Sequence, residues 1–361
     1  MSTSSGFALL KLPLLALETC VNLMSPDTVI KLALHSKMFK SRLSVIKYKI
    51  EYVEWTLSNF ETGVLINSNF GVLFFQIKTE AEIERTLHLA GKQEESINLN
   101  GYPAVYLVEH VELTGTEWFF FHLVLRTPFE SKVGTLEHLT KFLMSFVKCS
   151  EFELEYSSYE NFLTKDFFVW EHLNGSPIDL TISNYGEVLM TPDAIKFILE
   201  NVKFGRLYLN NIHVSEPGFK YQGYLEAKEL IVFGDNSWID LKNVNCQKVV
   251  LDKAFVNHSN HRRIEQILKN WIEGSSMENI EFLGIRNPRN FNLDENLKYL
   301  KHEPTRFSPE DISKRIGYIY NGTVFRDIQR ESDGRWVLIA MSCVRCWCCP
   351  LYKQLYDFED E

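Results

Sequence analysis

Residues 12–39 read LPLLALETCVNLMSPDTVIKLALHSKMF and carry the pattern of short amphipathic helices. Pro13 and Pro26 each suit the first position of a helix, where the missing N–H is not needed and the fixed φ is already helical. Ser25 precedes Pro26 and suits the N-cap, because its hydroxyl can accept a bond from a free backbone N–H. Together with the residues that follow, up to residue 50, this stretch predicts three helices.

The apolar side chains of these helices exceed what the segment can bury by itself. Those of the first helix share one face: Leu14, Leu17, Val21 and Met24. Only Lys31 is polar between Val29 and Leu34, so the second helix needs burial on more than one side. The third helix has its own stripe: Phe39, Leu43, Ile46 and Ile50. About forty residues cannot enclose a core that uses all these faces, so something outside the segment must cover the remainder.

The order of these parts resembles an F-box. The family pattern is Leu-Pro, an apolar helix, a turn, a Leu-rich helix, and a Ser-Lys pair followed by an aromatic residue. Here these parts are Leu12-Pro13, then residues 17–24, 29–34 and 36–39. Two positions depart from the pattern: Leu15 stands where the family commonly has an acidic residue, and Phe39 where it commonly has Trp. An ordinary helical cap packed on its own domain is the alternative.

The resemblance implies docking on an adaptor subunit. The residues that would form this contact are Leu12, Pro13, Leu17, Val21, Leu32 and Phe39.

Length and composition limit the remaining possibilities. The 361 residues allow two or three domains, and a hydrophobic content of 45% supports a sizeable core. A net charge of −9 without a basic stretch argues against a nucleic-acid partner. The longest apolar run, residues 336–341, is too short to span a bilayer, and the N-terminus lacks the features of a secretory signal. Seven unevenly spaced cysteines predict reduced thiols, hence the cytoplasm or nucleus.

After the helices the apolar pattern changes to period two. Residues 51–57, 72–77, 104–113 and 117–125 are rich in β-branched and aromatic residues, as strands are. A polar break at residues 92–96 separates the second of these from the third. We expect an antiparallel platform of about four strands over residues 51–149, completed by a helix with Thr135 as its N-cap.

Short strand signals recur over residues 150–304. Each is a pair of apolar residues two positions apart: Phe152/Leu154, Leu180/Ile182, Leu207/Leu209, Leu230/Val232, Val249/Leu251 and Ile280/Phe282. Their spacings of 28, 27, 23, 19 and 31 residues are close to the period of leucine-rich repeats. Helices are predicted in two intervals, one capped by Thr191 and one containing Ile264, Ile267, Leu268 and Trp271 before Gly274.

This pattern predicts an irregular leucine-rich-repeat-like solenoid of strands and helices. A doubly wound α/β domain is the competing architecture, although no Gly-rich phosphate turn supports it.

Residues 305–361 contain two further turn signals. Asn321-Gly322 and Asp333-Gly334 favour the positive-φ turns of hairpins. We therefore expect a three-stranded meander built from residues 316–320, 323–328 and 335–341. The predicted fold class is mixed α+β and α/β, with segments 1–50, 51–149, 150–304 and 305–361.

The order of segments is similar to that of nematode-expanded F-box proteins with a type-two F-box-associated domain. The residues that carry this resemblance are LTISNYGEVLMTPDAIKFILENVKFGRLYLNNI at 180–212 and FRDIQRESDGRW at 325–336, after the F-box-like start. The resemblance implies a substrate receptor of a Skp–cullin–F-box ubiquitin ligase. It would bind a Skp-type adaptor, and through it a cullin, while residues 150–304 hold an unidentified target protein.

Aromatic residues of the repeat section are candidates for target contact, because they bury large areas at low entropic cost. They are Tyr208, Tyr221, Tyr224 and Trp238. The alternative is that half of them fill the core. A repeat-type interaction module without a ubiquitin role is the second functional hypothesis.

The sequence contains no convincing catalytic or cofactor site. Cys343, Cys346, Cys348 and Cys349 have one CxxC spacing but no second pair, so we expect an extended tail rather than a zinc site. His258 and His261 are expected to be loop residues. No nucleophile elbow, phosphate loop or paired carboxylates occur. We therefore predict a binding protein that is not an enzyme.

Overall fold

The computed structural model divides the chain into two compact units, which we describe separately. The first comprises Met1–Val188 with Asn201–Lys203, and the second Leu189–Glu200 with Phe204–Glu361. The structure describes residues 9–58, 61–85, 94–99, 102–111, 120–127, 132–157, 163–183, 189–234, 236–252, 268–274, 277–286, 297, 301–316, 324–330 and 332–342. Both units combine helices with strands, so the predicted mixed class is confirmed.

The helices of the first unit begin with the predicted trio. Their bounds are α1 (Leu14–Asn22), α2 (Pro26–His35), α3 (Lys37–Ile46), α4 (Glu80–Arg85), α5 (Lys132–Met144) and α6 (Trp170–Leu173). Pro26 is at the start of α2 as predicted, with Ser25 at the N-cap, but the Ser25 hydroxyl bonds to the Asp27 carboxylate and not to a backbone N–H. Pro13 is the N-cap of α1 rather than its first residue. Ser36 caps α3 by accepting a bond from the Phe39 N–H at 3.2 Å.

The strands of the first unit form a mixed sheet and a separate pair. Their bounds are β1 (Tyr48–Lys49), β2 (Tyr52–Ser58), β3 (Thr62–Ser68), β4 (Gly71–Thr79), β5 (Glu94–Leu99), β6 (Tyr102–Val111), β7 (Phe120–Thr127), β8 (Val147–Lys148), β9 (Glu151–Ser157) and β10 (Ile178–Ser183). The sheet order is β10-β9-β2-β3-β4-β7-β6-β5, and β1 pairs with β8.

The predicted antiparallel platform is wrong in two respects. β4 pairs with β7 and β2 pairs with β9 in parallel, while the hairpins β2–β3, β3–β4, β5–β6 and β6–β7 are antiparallel. In addition, β5 begins within the stretch predicted as a polar break. This strand is at the edge of the sheet, where alternate side chains face solvent: Ser96 and Asn98 are exposed, whereas Ile97 and Leu99 are buried.

The core of the first unit lies between this sheet and α5. Trp55 on β2 is fully buried, stacks on Phe152 with 5.9 Å between ring centroids, and donates from Nε1 to Thr140 Oγ1 on α5 at 3.0 Å. Thr135 was predicted to be the cap of this helix, but α5 begins three residues earlier and Thr135 is buried inside it.

The second unit has α7 (Pro192–Asn201), α8 (Pro309–Ile316) and seven strands among its described residues. The strand bounds are β11 (Phe204–Asn210), β12 (Leu225–Phe233), β13 (Val244–Asp252), β14 (Phe282–Arg286), β15 (His302–Pro304), β16 (Val324–Gln329) and β17 (Trp336–Ser342). Their order is β15-β16-β17-β14-β13-β12-β11. The predicted cap of α7 is confirmed, because Thr191 Oγ1 accepts a bond from the Ala194 N–H at 3.2 Å.

The four strands β11 to β14 are parallel neighbours in chain order. Leu207 lies beside Leu230, and Leu230 beside Val249, as the apolar pairs predict. The next partner of Val249 is Leu283, so the pair Ile280/Phe282 is not in register. In the first unit, likewise, Leu154 lies beside Leu180 and not beside Ile182.

The C-terminal meander has a different first strand from the one predicted. β16 and β17 form the expected hairpin around Gly334, whose φ is +73°. The other partner of β16 is β15, and Ile316, where the predicted first strand begins, is the last residue of α8. Residues 317–320 of that predicted strand lie outside the described residues. Asn321-Gly322 lies outside the described residues. Leu268 and Trp271 are buried in a helical stretch before Gly274, whose φ is +74°, while Ile264 and Ile267 also lie outside the described part.

Candidate functional site: the exposed surface of the helical trio

The trio α1–α3 is attached to the strands that follow it. The Tyr48 hydroxyl donates to the Met24 carbonyl at 3.1 Å, and the Lys49 N–H donates to Asn22 Oδ1 at 3.2 Å. Lys49 also forms an ion pair with Glu18 at 3.3 Å. Since Tyr48 and Lys49 form β1, which pairs with β8, these bonds attach the end of α1 to that strand pair.

One side of the trio is packed within the chain. Seven of its apolar side chains are at most 3% exposed: Leu17, Val21, Val29, Ile30, Ala33, Phe39 and Leu43. α2 contacts α3 and also β3, β4 and β5, which explains why its sequence is apolar on more than one side.

The third helix is oriented by a contact with α5. Lys40 Nζ lies 4.6 Å from the centroid of the Phe142 ring, a cation–π distance. Burial lowers the pKa of Lys40. The contact joins Lys40 of α3 to α5, whereas Met38, Ser41 and Arg42 of the same helix are exposed.

The trio also has apolar side chains that are exposed. We call these six residues the exposed helical surface, and their exposures run from 37% to 76%: Leu14, Leu15, Leu23, Leu32, Met38 and Val45. In the described part of the chain ten large apolar residues are exposed, and these six lie within one 32-residue segment. Isolated exposed apolar residues are normal on proteins, whereas such a concentration indicates a contact surface.

The structure separates the six predicted adaptor contacts into two groups. Pro13 is exposed, Leu32 is 37% exposed and Leu12 is partly exposed. Leu17, Val21 and Phe39 are at most 2% exposed, so they support the helices from beneath and are not accessible to a partner in this conformation.

Two strongly exposed apolar residues of the segment lie outside the predicted set of adaptor contacts. Leu15 is 76% exposed and Met38 is 61% exposed. Their positions in the sequence could have identified them, because neither residue lies on the apolar stripe of its helix. An apolar residue outside the stripe that faces the core has no intramolecular partner to cover it.

The four predicted target contacts also have different environments. Trp238 and Tyr221 are 4% and 5% exposed, and Trp238 Nε1 donates to the Ile212 carbonyl at 2.9 Å. Tyr208 is partly buried and packs on Phe233, with 5.1 Å between ring centroids. Tyr224 is 72% exposed. Of the four, only Tyr224 is presented mainly to solvent.

Other candidate chemistry lies largely outside the described residues. This applies to His258 and His261 and to the cluster Cys343, Cys346, Cys348 and Cys349. Within the described part, no three His, Cys, Asp or Glu side chains converge as metal ligands would. None of the helices described there is both long and apolar enough to cross a bilayer.

Comparison with known proteins assigns no family. The chain has no match among family models and no significant match among curated proteins or solved structures.

Proposed function

We propose that this chain is the substrate-recognition subunit of a Skp–cullin–F-box ubiquitin ligase. The observation that carries the proposal is the exposed helical surface, six apolar residues on three short helices whose other sides are already packed. The order Leu12-Pro13, α1, α2, and Ser36-Lys37 before Phe39 adds the resemblance to an F-box.

The proposed adaptor contact combines predicted and newly identified residues. Leu12, Pro13 and Leu32 remain in it, and Leu15 and Met38 join it because of their exposure. Their burial on docking would supply the hydrophobic driving force. Leu15 replaces the acidic residue common in the family, so this contact would be more apolar than usual.

The target would be held by the strand-rich remainder. The parallel neighbours β11 to β14, with α7 preceding them, support an irregular leucine-rich-repeat-like domain. Tyr224 is the aromatic residue best placed to contact a target there. No catalytic residue is needed in this role, because holding a target near a ubiquitin-charged enzyme raises its effective concentration.

The test is co-purification with a Skp-type adaptor and a cullin. The variant Leu15→Asp with Met38→Asp should lose the adaptor and keep the wild-type circular dichroism spectrum and unfolding midpoint, because both side chains are exposed. Phe70→Asp is the matched control: Phe70 is 40% exposed in the same unit but lies in the β3–β4 turn, and its variant should retain the adaptor.

A folded wild-type chain that captures no adaptor would contradict the proposal. A double variant that binds as well as wild type would place the contact elsewhere.

A repeat-type interaction module without a ubiquitin role is the second candidate function. It is favoured by the burial of Leu17, Val21 and Phe39 within the chain's own first unit, because helices packed in this way can serve as a cap. Under this alternative, substitutions on the exposed helical surface would leave all binding partners unchanged.

A further inference from the structure

Three neighbouring strands of the first unit place acidic residues side by side. The register sets Glu54 on β2 opposite Glu153 on β9, and Glu153 opposite Asp179 on β10. We call these three residues the carboxyl row. Adjacent strands are about 4.8 Å apart, and like charges directly opposite one another are destabilising. Full ionisation of the row would therefore oppose the pairing of the strands that carry it.

Within the carboxyl row, Glu54 lies in the environment that most disfavours a negative charge. Its partner on the other side is Leu65 of β3, so it lies between an apolar neighbour and an acidic one. Burial, followed by the charges of Glu153, Glu155 and Glu61, raises the pKa of Glu54 to about 8.

The pKa values of two neighbouring groups, Glu61 and Tyr52, are raised as well. Burial, and then the charge of Glu155, raises the pKa of Glu61, although the Gln76 amide and Lys78 oppose this. Burial and the charges of Glu54 and Glu153 raise the pKa of Tyr52 to about 12. The titratable groups that interact with Glu54 are Tyr52 on its own strand, Glu61 just before β3, and Glu153 and Glu155 on β9. Further out, Lys78 on β4 acts on Glu61, and Asp179 on β10 lies opposite Glu153.

We propose that the carboxyl row retains a proton at neutral pH, and that loss of this proton in mildly alkaline solution weakens the parallel pairing of β2 with β9. Within the row the proton is held mainly by Glu54, because burial and the charge of Glu153 on the paired strand disfavour its ionised form. The pairing at risk joins chain segments that are far apart in sequence, residues 52–58 and 151–157. The first unit would thus be sensitive to pH at the contact that joins β9 and β10 to the rest of its sheet.

The direction of the effect follows from proton linkage. An unfolded glutamate has a pKa near its ordinary value of 4.5, whereas that of Glu54 in the folded chain is about 8. Between these values the folded state binds more protons, so stability declines as the pH rises through this window and levels off above it. From pH 6 to pH 9, the equilibrium shifts towards opening by as much as about 100-fold.

The test is hydrogen exchange of the full chain, resolved to peptides covering β2 and β9, between pH 6 and pH 9. After correction for intrinsic exchange, wild-type protection should fall across this range. Glu54→Gln should remove most of the fall and be better protected than wild type at pH 9. Glu151→Gln is the matched control, since Glu151 lies exposed on the same strand as Glu153, and it should behave as wild type.

The same pH dependence in wild type and Glu54→Gln would overturn the proposal. A second measurement covers the case in which this variant fails to fold. Carboxyl ¹³C resonances of glutamate-labelled wild type should include one with a midpoint near 8. Midpoints that all lie near the ordinary value for glutamate would equally overturn the proposal.

Discussion

Leu15 and Leu17 are two residues apart on α1 and provide a matched pair of Leu→Ala variants. Leu17 is fully buried, and truncating a buried leucine to alanine lowers the free energy of unfolding by about 2–5 kcal/mol. Leu15 is 76% exposed, so Leu15→Ala should change this free energy by at most about 0.5 kcal/mol.

Adaptor affinity should show the opposite order. Complete burial of a leucine side chain is worth about 1.5–3 kcal/mol, and Leu15 has most of its surface still available in the free chain. Leu15→Ala should therefore weaken adaptor binding by about 1–2 kcal/mol, which is roughly a 5- to 30-fold change. Leu17→Ala should affect binding only as far as it unfolds the helix.

The assay combines urea unfolding of each purified chain with calorimetric titration of a Skp-type adaptor at a temperature where both variants are folded. Wild-type affinity in Leu15→Ala would refute the assignment of this side chain to the contact. A Leu17→Ala variant that is as stable as wild type would refute the packing of α1.

Three further results are expected. Deleting residues 1–50 should make the first unit aggregate on size-exclusion chromatography, because it uncovers the strand surfaces that α2 contacts. Thr191→Ala should lower the free energy of unfolding by about 1 kcal/mol in urea titrations, since the Ala194 N–H loses its cap. The Arg330 guanidinium hydrogen-bonds Asp333 and holds the pKa of that carboxyl well below its usual range. Stability gained in this way is present above the unfolded pKa of about 3.9 and is lost below it, so wild type should lose more stability than Asp333→Asn on acidification in pH-dependent thermal melts.

Each of these predictions has a contrary outcome, and the capping prediction also has a control. A monomeric, cooperatively unfolding fragment 51–361 would show that the trio is dispensable for the first unit. Thr19→Ala is the control for the cap, because Thr19 Oγ1 bonds only to the Leu15 carbonyl within α1, and equal losses in both variants would rule out a capping effect. Identical acid profiles for wild type and Asp333→Asn would exclude Asp333 as a source of the pH dependence.

The trio was predictable because its signals are local. Pro26 and the N-cap position of Ser25 lie where the helix rules place them, and the buried pair Leu17 and Val21 lies on the predicted stripe. Leu14 belongs to the same stripe but is 43% exposed, since the apolar face of a first turn extends beyond the surface it packs on. The stripe identifies which residues can share a face, whereas the width of the covering surface decides which of them are buried.

Strand register was the least predictable feature. The pairs at β11, β12 and β13 align as predicted because their spacing is near the repeat period. At β14 the aligned residues are Leu283 and Ile285, three positions after the predicted Ile280 and Phe282, and an odd displacement changes the face. A shift of one residue moves a side chain to the other face, and Phe282 accordingly packs in a separate cluster with Val250 and Leu338. The composition of a short apolar run does not determine which of its residues point to which face of the sheet.

Pairings between distant segments were not predicted either. β5 was not recognised as a strand, and β15 stands in place of the expected first strand of the meander. Both are short strands at the edge of a sheet, where polar residues are tolerated, so their sequences carry little strand signal. The predicted feature was that the three helices carry more apolar surface than they can bury. Which residues form the exposed helical surface was not predicted. Its members became identifiable once the strands that cover the other side were known.

The pairing of Tyr48 with Val147 has a consequence for biosynthesis. The trio leaves the ribosome before β8 exists, and the two partners are 99 positions apart. At about 5–20 residues per second, translation needs roughly 5–20 s to deliver the second partner. The strands β3 to β5 that cover α2 are made earlier in this interval, and until they follow the nascent helices carry bare apolar surface on both sides. This segment is therefore the part of the newborn chain that chaperones are expected to engage first.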